Sequence, residues 1–210
     1  LGVSSHQFDD PERGFSFRFD TPLDMRMDKS QALSAYKVVN EWDEERLANI
    51  LYLYGELNAA RQMAKQIIEC RKEKPIVTSN DLQQALKRWK NTRGKNLMAQ
   101  VFQALRIEIN QELGALKDML QQTASMIQPG GRLVVISYHS LEDRMVKNFI
   151  RSGNIEGKVS KDLFGNIQAS FTPAHLKAII PDETEIQNNP RARSARLRTG
   201  IRTNYPLNKI

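Results

Sequence analysis

Apolar residues recur at helical spacing over much of the first half of the chain. Asp43 is an N-cap residue, and apolar side chains then return every third or fourth position until Gly55, which favours a helix end. A second amphipathic stretch, residues 59–72, stops shortly before a proline. Thr78 and the aspartate three residues later form a capping box that predicts a third helix reaching Trp89. The pattern therefore predicts a small all-α module.

The second half of the chain alternates helical and strand patterns. One apolar stripe predicts a single helix over residues 97–120 that packs against a sheet and stops at the Pro-Gly-Gly of residues 129–131. The apolar run of residues 132–138 is typical of a strand covered on both faces, and helical spacing resumes over residues 139–151. Alternation over residues 193–199 predicts another strand. Helix, buried strand and helix in this order indicate an α/β unit.

Residues 8–28 show neither the helical nor the strand periodicity of apolar residues. This segment is therefore predicted to be an ordered loop. Phe15, Phe17 and Phe19 alternate within it. Two interpretations stay open. The segment is a short edge strand with one buried face, or it is a loop that presents aromatic rings to a flat ligand.

Charge adds a preference for polyanions. The chain has 31 Lys and Arg against 24 Asp and Glu, a net charge of +7 and a pI near 9.6, which favours nucleic acid as a partner. Its longest apolar runs, such as Leu133–Ile136, are far shorter than the roughly 20 residues of a membrane span. One cysteine and three scattered histidines predict neither a disulfide nor a bound metal. We therefore expect a cytoplasmic protein that does not interact with membranes.

Two basic clusters in the sequence are candidate sites for binding nucleic acid. Residues 87–95 hold five basic side chains and no acidic one around Trp89, and residues 190–202 hold five arginines. Lys87, Arg88 and Lys90 are accordingly candidate contacts to RNA, with a merely solvated face as the alternative. Arg193 is a candidate of the same kind. Alternatively, Arg193 or Arg196 is a structural residue that pairs with an acidic group.

Three separate stretches carry a family resemblance. They are LGVSSHQFDDPERGFSFRFDTPLDMRMD at residues 1–28, FQALRI at 102–107 with GGRLVVISYHSLEDRMVK at 130–147, and NPRARSARL at 189–197. Together they resemble the bacterial S-adenosylmethionine-dependent small-subunit (16S) ribosomal RNA cytosine-N4-methyltransferases. The resemblance implies a Rossmann-like class I methyltransferase core interrupted by an all-α domain. Residues 1–29 would hold the active-site loop, 30–95 the helical insertion that recognises RNA, and 96–210 the rest of the core.

The chain also departs from that family. The family's Gly-rich cofactor loop and acidic cofactor-binding residue lie upstream of the Leu-Gly-Val-Ser-Ser motif, which here begins at Leu1, and no Gly-x-Gly-x-x-Gly replaces them. We therefore expect an N-terminally truncated member in which the first strands of the core are missing. Such a chain should bind S-adenosylmethionine weakly and should be inactive by itself.

Candidate ligand contacts follow the ends of strands, because open α/β sheets bind ligands at the carboxyl ends of their strands. Gly2, Ser4 and Ser5 follow the strand that would precede Leu1, although the two serines are equally suited to capping a helix. Gln7 matches a cofactor-contacting position of the family. These four residues are the expected contacts to S-adenosylmethionine.

The remaining candidates concern the RNA base. His139 and Asp24 are the candidate catalytic residues, although His139 also suits an orienting or capping role. Ser140 either contacts substrate or begins a Ser-x-x-Asp capping box. The other expected contacts to the substrate are Phe15, Phe17, Arg26 and Tyr138.

These features predict N4-methylation of a specific cytidine in small-subunit ribosomal RNA, either free or within the assembled subunit. A non-catalytic RNA-binding or ribosome-assembly module is the alternative, because the cofactor loop is absent. Methylation of DNA bases would predict an Asp/Asn-Pro-Pro-Tyr/Phe loop, and this chain has none. Homodimer formation is left open.

Overall fold

The computed structural model describes residues 1–89 and 97–205, which form two compact units. Val3–Glu112 make up the first, here called the helical unit. Leu1–Gly2 and the chain from Leu113 onward make up the second, here called the sheet unit. Within the described residues, no helix combines the length and apolar character that a membrane span requires. The three predicted domain ranges stay a prediction.

Six described helices build the helical unit. They are α1 (Ser5–Asp9), α2 (Ala35–Glu41), α3 (Glu44–Leu53), α4 (Ala60–Glu73), α5 (Ser79–Ala85) and α6 (Leu97–Ile109). The predicted start of α3 is confirmed, since the Asp43 side chain accepts from the backbone N–H of Arg46 at 2.8 Å. The capping box of Thr78 is confirmed too. Helix α5 ends four residues earlier than predicted, and Lys87–Trp89 form a 3₁₀ turn instead.

The core of the helical unit fills the space between α3, α4 and α6. Its fully buried side chains include Leu47, Leu51, Met63, Ile67 and Leu105. Residues 8–28 are largely the predicted ordered loop, apart from the end of α1 and a 3₁₀ turn at Pro11–Arg13. No strand forms there in the described chain, so the edge-strand interpretation is wrong.

A break in the predicted long helix is the main difference from the sequence pattern. Helix α6 ends at Ile109 and α7 (Glu112–Met126) begins after Gln111, whose φ is 50°. The prediction of one helix over residues 97–120 is therefore wrong. Apolar residues of α6 belong to the core of the helical unit, and those of α7 pack in the sheet unit.

Backbone contacts organise the loop that follows Arg13. Met25 is fully buried with a φ of 61°, a conformation that costs a non-glycine residue about 1–2 kcal/mol. Its N–H donates to the carbonyl of Arg13 at 3.0 Å, and its carbonyl accepts from Asn110 Nδ2 at 2.8 Å. Asn110 Oδ1 also accepts from the N–H of Met27 at 2.7 Å. The surrounding structure thus holds a strained turn in a single conformation.

The sheet unit contains the expected mixture of helices and strands. Its elements are α7, β1 (Arg132–Ser137), α8 (Ser140–Ser152), β2 (Phe171–Pro173), α9 (Glu183–Asn188) and β3 (Arg196–Arg202). The described sheet has the order β1-β3-β2, and both pairings are antiparallel. The α/β class is confirmed, and β3 is the strand predicted from the alternation near residue 196.

Strand β1 buries only one of its faces in the described structure. Leu133 and Val135 are buried against Leu116 and Leu120 of α7, whereas Val134 is 55% exposed and Ile136 is 42% exposed. The prediction of a strand covered on both faces is therefore wrong for these residues. Packing of α7 against the sheet is confirmed.

Arginines of β3 make the principal polar contacts of the sheet unit. Arg198 donates Nε and Nη2 to the two oxygens of Asp143 on α8 at 2.6 and 3.0 Å. Arg202 is buried and donates to four carbonyls, those of Ala124, Ser170, Thr203 and Tyr205. Two of the five arginines of the tail, Arg198 and Arg202, therefore stabilise the fold.

We predict that Asp143→Asn lowers the free energy of unfolding by about 3–5 kcal/mol, because it leaves the Arg198 guanidinium largely buried without a counter-charge. Arg196→Ala is the matched control. Arg196 is 56% exposed and 3.4 Å from the same carboxylate, so its loss should cost less than about 1 kcal/mol. Chemical denaturation of both variants measures the difference, and equal losses would contradict this role of Arg198.

The pair between Asp143 and Arg198 should also make the free energy of unfolding depend on pH in the acidic range. Burial acts to raise the pKa of Asp143, but hydrogen bonds and charge from Arg198 hold it below the usual 3.8. A lowered folded pKa contributes stability that is fully present above about pH 4 and is lost as the pH falls through that lowered pKa. Asp143→Asn should therefore flatten the acid limb of the stability curve.

We also predict that Gly14→Ala is more destabilising than Gly130→Ala by about 1–3 kcal/mol. The reason is that a methyl group added at position 14 would crowd its neighbours. Both glycines have a positive φ, of 71° and 83°. A Cβ on Gly14 would lie 2.3 Å from the carbonyl oxygen of Pro22, whereas one on Gly130 meets nothing within 4 Å. Thermal unfolding of the two variants tests this, and equal losses would refute the crowding argument.

Candidate functional site

The carboxyl end of β1 lies beside the start of the chain, within the sheet unit. The Leu1 nitrogen donates to the carbonyl oxygen of Ile136 at 3.2 Å. Gly2 follows with a φ of 82°, which glycine adopts without a steric penalty. The chain therefore passes this strand end with a residue whose backbone a ligand can approach closely.

Residues after β1 use their polar atoms to begin α8. His139, rather than Ser140, is the N-cap, and its Nδ1 accepts from the N–H of Glu142 at 3.4 Å. The predicted capping box of Ser140 is therefore wrong. Glu142 is buried, and its Oε2 accepts from the N–H of Tyr138 at 2.9 Å. Tyr138 itself is an exposed side chain.

The imidazole of His139 is also largely buried. Since Nδ1 accepts a hydrogen bond, the neutral ring carries its hydrogen on Nε2. Nε2 lies 3.4 Å from Glu142 Oε1 and, in the described chain, has no hydrogen bond of good geometry. This arrangement gives His139 a capping and orienting role. Its action as a proton acceptor stays a prediction.

The candidate cofactor residues Ser4 and Gln7 bond to each other in the helical unit. Ser4 caps α1, because its Oγ accepts from the N–H of Gln7 while Gln7 Oε1 accepts from the N–H of Ser4 at 3.2 Å. This is the capping alternative expected for Ser4. The amide nitrogen Nε2 of Gln7 has no partner among the described residues, and Ser5 is exposed in the first turn of α1.

Asp24 and Arg26 form a paired site on the strained loop. Arg26 donates Nε and Nη2 to the two Asp24 oxygens at 2.6 and 3.1 Å, and its Nη1 donates to the carbonyls of Lys29 and Gln31. Burial acts to raise the pKa of Asp24, but Arg26 outweighs it and lowers that pKa. Asp24 is therefore an ionised carboxylate in a fixed position, and both side chains keep some exposure.

The three alternating phenylalanines have different environments. Phe15 is 4% exposed and packs edge-on against Phe8. Phe17 is partly buried with its ring edge-on to Phe102, at 5.3 Å between centroids. Phe19 is 63% exposed. Burial thus gives Phe15 and Phe17 a role in the core, and Phe19 is the ring that faces solvent.

A basic groove follows α4 in the helical unit. Two cavities of about 410 and 320 Å³ share Gln66 and Arg88 in their linings. Their basic lining residues are Lys65, Lys74, Lys87 and Arg88, against the acidic Glu69 and Asp81. Asp81 is neutralised locally, because it pairs with Lys74 at 3.3 Å and caps α5. Trp89 lines one end, and Lys90 lies outside the described residues.

The tail arginines divide between surface and fold. Arg193 is exposed on a 3₁₀ turn at Pro190–Ser194, where it remains a candidate contact to RNA. Arg196 and Arg198 face Asp143, as described above. Of the two tail arginines for which pairing with an acidic group was expected, Arg196 makes that contact.

Sequence reasoning missed the residues that hold the Asp24 loop. Asn110 bonds to both Met25 and Met27, and Arg13 donates Nη2 to the carbonyl of Met27 at 2.8 Å. The available signal was weak. Asn110 and Gln111 interrupt the apolar stripe between Ile109 and Leu113, and such a polar pair favours a helix boundary.

Comparison with known proteins supplies the family. Residues 1–202 match the MraW methylase family. A protein named Ribosomal RNA small subunit methyltransferase H from Bacteroides thetaiotaomicron is 56% identical over 199 residues. Proteins of the same name from Amoebophilus asiaticus and Flavobacterium johnsoniae are 52% identical over 204 residues and 50% over 199.

These matches cover most of the present chain but only part of each relative. They take in 94% of this chain for the Bacteroides and Flavobacterium proteins and 97% for the Amoebophilus protein. The chain spans 66% of the length of each of the three relatives. Because the family match runs from residue 1 to residue 202, through both units, the chain belongs to the MraW methylase family.

Proposed function

We propose that the chain acts in an S-adenosylmethionine-dependent methyltransferase that modifies N4 of a cytidine in small-subunit ribosomal RNA. The observation that carries this proposal is the family match, which includes Leu1–Asp28 and the segment around His139. The names of the relatives support ribosomal RNA as the substrate. The proposal includes a Rossmann-like core with an inserted helical domain, and a cytoplasmic location where ribosomal subunits are assembled.

The reaction sets requirements that protein side chains must meet. S-adenosylmethionine supplies a methyl group already activated by a sulfonium. Transfer breaks the carbon–sulfur bond, forms a carbon–nitrogen bond at N4 and releases one N4 proton. Because the N4 lone pair is delocalised into the ring, hydrogen-bond acceptors must orient the amine. The target base must also be unstacked to reach the site.

Asp24 meets the requirement for an acceptor in the helical unit. Arg26 keeps its carboxylate ionised and fixed, and Oδ2 accepts only from Arg26 Nη2 among the described residues. A carboxylate oxygen has capacity for a second hydrogen bond. We therefore assign Asp24 to accept a hydrogen bond, and finally the proton, from the cytosine amine. Arg26 is then a positioning residue, because it acts through Asp24.

The sheet unit offers a second set of substrate contacts at the end of β1. Tyr138 has a half-exposed ring that can lie against a base. Ser140 follows at the first turn of α8, with His139 orienting the segment through its capping bond. We assign Tyr138 and Ser140 to substrate binding, with His139 as their support.

The chain offers candidate contacts to the cofactor in each unit separately. Gly2 offers open backbone at the end of β1, and Gln7 Nε2 is a donor without a partner among the described residues. Gln7 would donate to an acceptor atom of S-adenosylmethionine, with Ser4 fixing the Gln7 side chain and Ser5 close by in sequence. The chain has no Gly-x-Gly-x-x-Gly to hold the rest of the cofactor.

RNA outside the target base would contact the basic groove. Lys65, Lys87, Arg88 and Trp89 in one groove match what phosphate contact and base stacking require, whereas Lys74 pairs with Asp81. We assign Lys87 and Arg88 to phosphates, together with Lys90 from the same basic cluster. Arg193 is a further, separate candidate on the sheet unit.

Methyl transfer tests the proposal directly. The chain would be assayed alone and joined to the part of the Bacteroides thetaiotaomicron relative that lies outside the match, with labelled S-adenosylmethionine and small ribosomal subunits or purified ribosomal RNA. We expect N4-methylcytidine in digests from the joined protein and none from the chain alone. RNA binding without any methylated nucleoside would support the assembly-module alternative, and label in another nucleoside would overturn N4 specificity.

We predict that Gln7→Ala in the joined protein raises the dissociation constant for S-adenosylmethionine tenfold or more, since a lost polar contact to a buried ligand costs about 1–3 kcal/mol. Gln7→Glu is the matched variant, because it keeps the oxygen that caps α1 and removes the Nε2 donor. Calorimetry should show weakening in both variants with unchanged RNA affinity. Unchanged cofactor affinity would remove Gln7 from the site.

We predict that Lys87→Ala with Arg88→Ala weakens RNA binding and makes its salt dependence shallower. Each lost phosphate contact should reduce the slope of log affinity against log salt by roughly 0.7–0.9. Adding Lys90→Ala should reduce it further, while cofactor affinity stays constant. The matched control is Lys72→Ala with Lys117→Ala, which removes two exposed charges that do not line the groove. Equal slopes in wild type and the groove variant would show a merely solvated face.

A further inference from the structure

A short hairpin in the sheet unit presents two large apolar side chains entirely to solvent. Residues 158–168 form its stem and tip, with an antiparallel bridge between Lys161 and Ile167. Leu163 is fully exposed and Phe164 is 89% exposed at the tip. Neither residue belongs to the predicted site or to the basic groove.

The hairpin is held in a defined conformation. The N–H of Gln168 donates to the carbonyl of Ser160 at 2.8 Å, and Ser160 Oγ donates to Gln168 Oε1 at 3.0 Å. Directly after the stem, Ala169 is buried beside Gly153, where an added Cβ would lie 3.2 Å from the Ala169 Cα. The tip is thus attached to the core of the sheet unit by a short, hydrogen-bonded stem.

The turn itself requires particular residues, but not the apolar pair. The N–H of Gly165 donates to the carbonyl of Asp162 at 3.0 Å, and Gly165 has a φ of 85°. Asp162 Oδ1 accepts from the N–H groups of Phe164 and Asn166. These are the aspartate and glycine that a three-residue hairpin loop favours. The two central positions tolerate most residues, so the fold does not explain a leucine and a phenylalanine there.

Charge around the tip indicates the chemistry of a partner. Lys158 and Lys161 are exposed on the hairpin. Asp162, the acidic residue of this segment, has both oxygens engaged within the turn. Two lysines against one ionised aspartate leave the hairpin with a net positive charge, and a flat, exposed ring on such a hairpin matches stacking on a base with phosphates alongside. A lipid surface matches less well, because membrane binding scales with buried apolar area, and besides Leu163 and Phe164 the described hairpin exposes only Val159 and Ile167, each by less than half.

We propose that the hairpin tip binds single-stranded RNA, with Phe164 stacking on an unpaired base, Leu163 packing beside it and Lys158 and Lys161 contacting phosphates. The proposal rests on the proposed function, which supplies ribosomal RNA as the substrate. It adds a contact that lies away from the reacting base and anchors RNA to the sheet unit. Phe164 is thus a binding residue and takes no part in methyl transfer.

The test is equilibrium binding of labelled oligoribonucleotides, single-stranded and annealed as duplex, to the chain. Phe164→Ala should raise the dissociation constant for single strands about five- to hundredfold, while Phe164→Trp should preserve affinity. Leu176→Ala is the matched control, because Leu176 is also 96% exposed in the sheet unit. Phe164→Ala should leave the salt slope unchanged, whereas Lys161→Ala should reduce it by about 0.7.

Folding is not expected to confound this test, since the side chains at the tip bury little surface, and unchanged thermal unfolding would verify it. Equal affinities of wild type, Phe164→Ala and Leu176→Ala would overturn the proposal, as would wild-type protein that binds no RNA. Loss of self-association or of binding to anionic lipid vesicles in Phe164→Ala, with RNA affinity unchanged, would also overturn it in favour of those partners.

Methyl transfer is scored separately with the joined protein. Hairpin-dependent RNA binding without methylation of ribosomal RNA by the wild type would refute the proposed function and leave the hairpin contact standing. Methylation that proceeds with the same affinity and rate after Phe164→Ala would refute the hairpin contact and leave the proposed function standing.

Discussion

The pair between Asp143 and Arg198 is the contact on which the sheet unit depends. It joins α8 to the central strand β3, and β3 in turn is hydrogen-bonded to both β1 and β2. The pair is bidentate and largely buried, so each charge needs the other. By fixing α8 on the sheet, it also fixes the segment between β1 and α8, where His139 caps the helix and Tyr138 projects outward.

The contacts of the tail arginines change what the basic composition of the tail indicates about binding to polyanions. The sequence has an excess of seven positive charges, and the tail contributes five arginines. Arg198 is neutralised by Asp143, and Arg202 is buried among backbone carbonyls. Fewer of the tail arginines are therefore available to a polyanion than the composition of the tail indicates.

Local patterns in the sequence predicted the elements whose ends are set by local contacts. Asp43 and Thr78 cap their helices as expected, because each bond joins residues three positions apart. The break in the predicted long helix involves contacts distant in sequence. Asn110 bonds to Met25 and Met27, more than eighty residues away, at the break that separates α6 from α7. No periodicity contains such information, so the broken helix was read as continuous.

The candidate site shows the same division. The sequence indicated Asp24 and Arg26 as residue types suited to the chemistry, and the polar residues after β1 as a rim. The sequence could not indicate that Phe15 is buried in the core, because alternation of aromatic residues does not reveal which face is buried. Nor could it separate His139 from Ser140 as the cap, since the two residues are adjacent at the start of the helix and either side chain can accept the capping bond.

The turn at Met25 carries Asp24 and Arg26 on its two sides. A buried methionine at a φ of 61° would relax to an ordinary conformation if its neighbours allowed it. The Met25 N–H donates to the Arg13 carbonyl, and the Met25 carbonyl accepts from Asn110 Nδ2, and these two bonds oppose such a change. Asp24 and Arg26 flank this turn and form a bidentate pair. A carboxylate held in this way is already ionised and oriented before any ligand binds, so binding need not order it. Preorganisation of this kind is what an acceptor for a weakly nucleophilic amine requires.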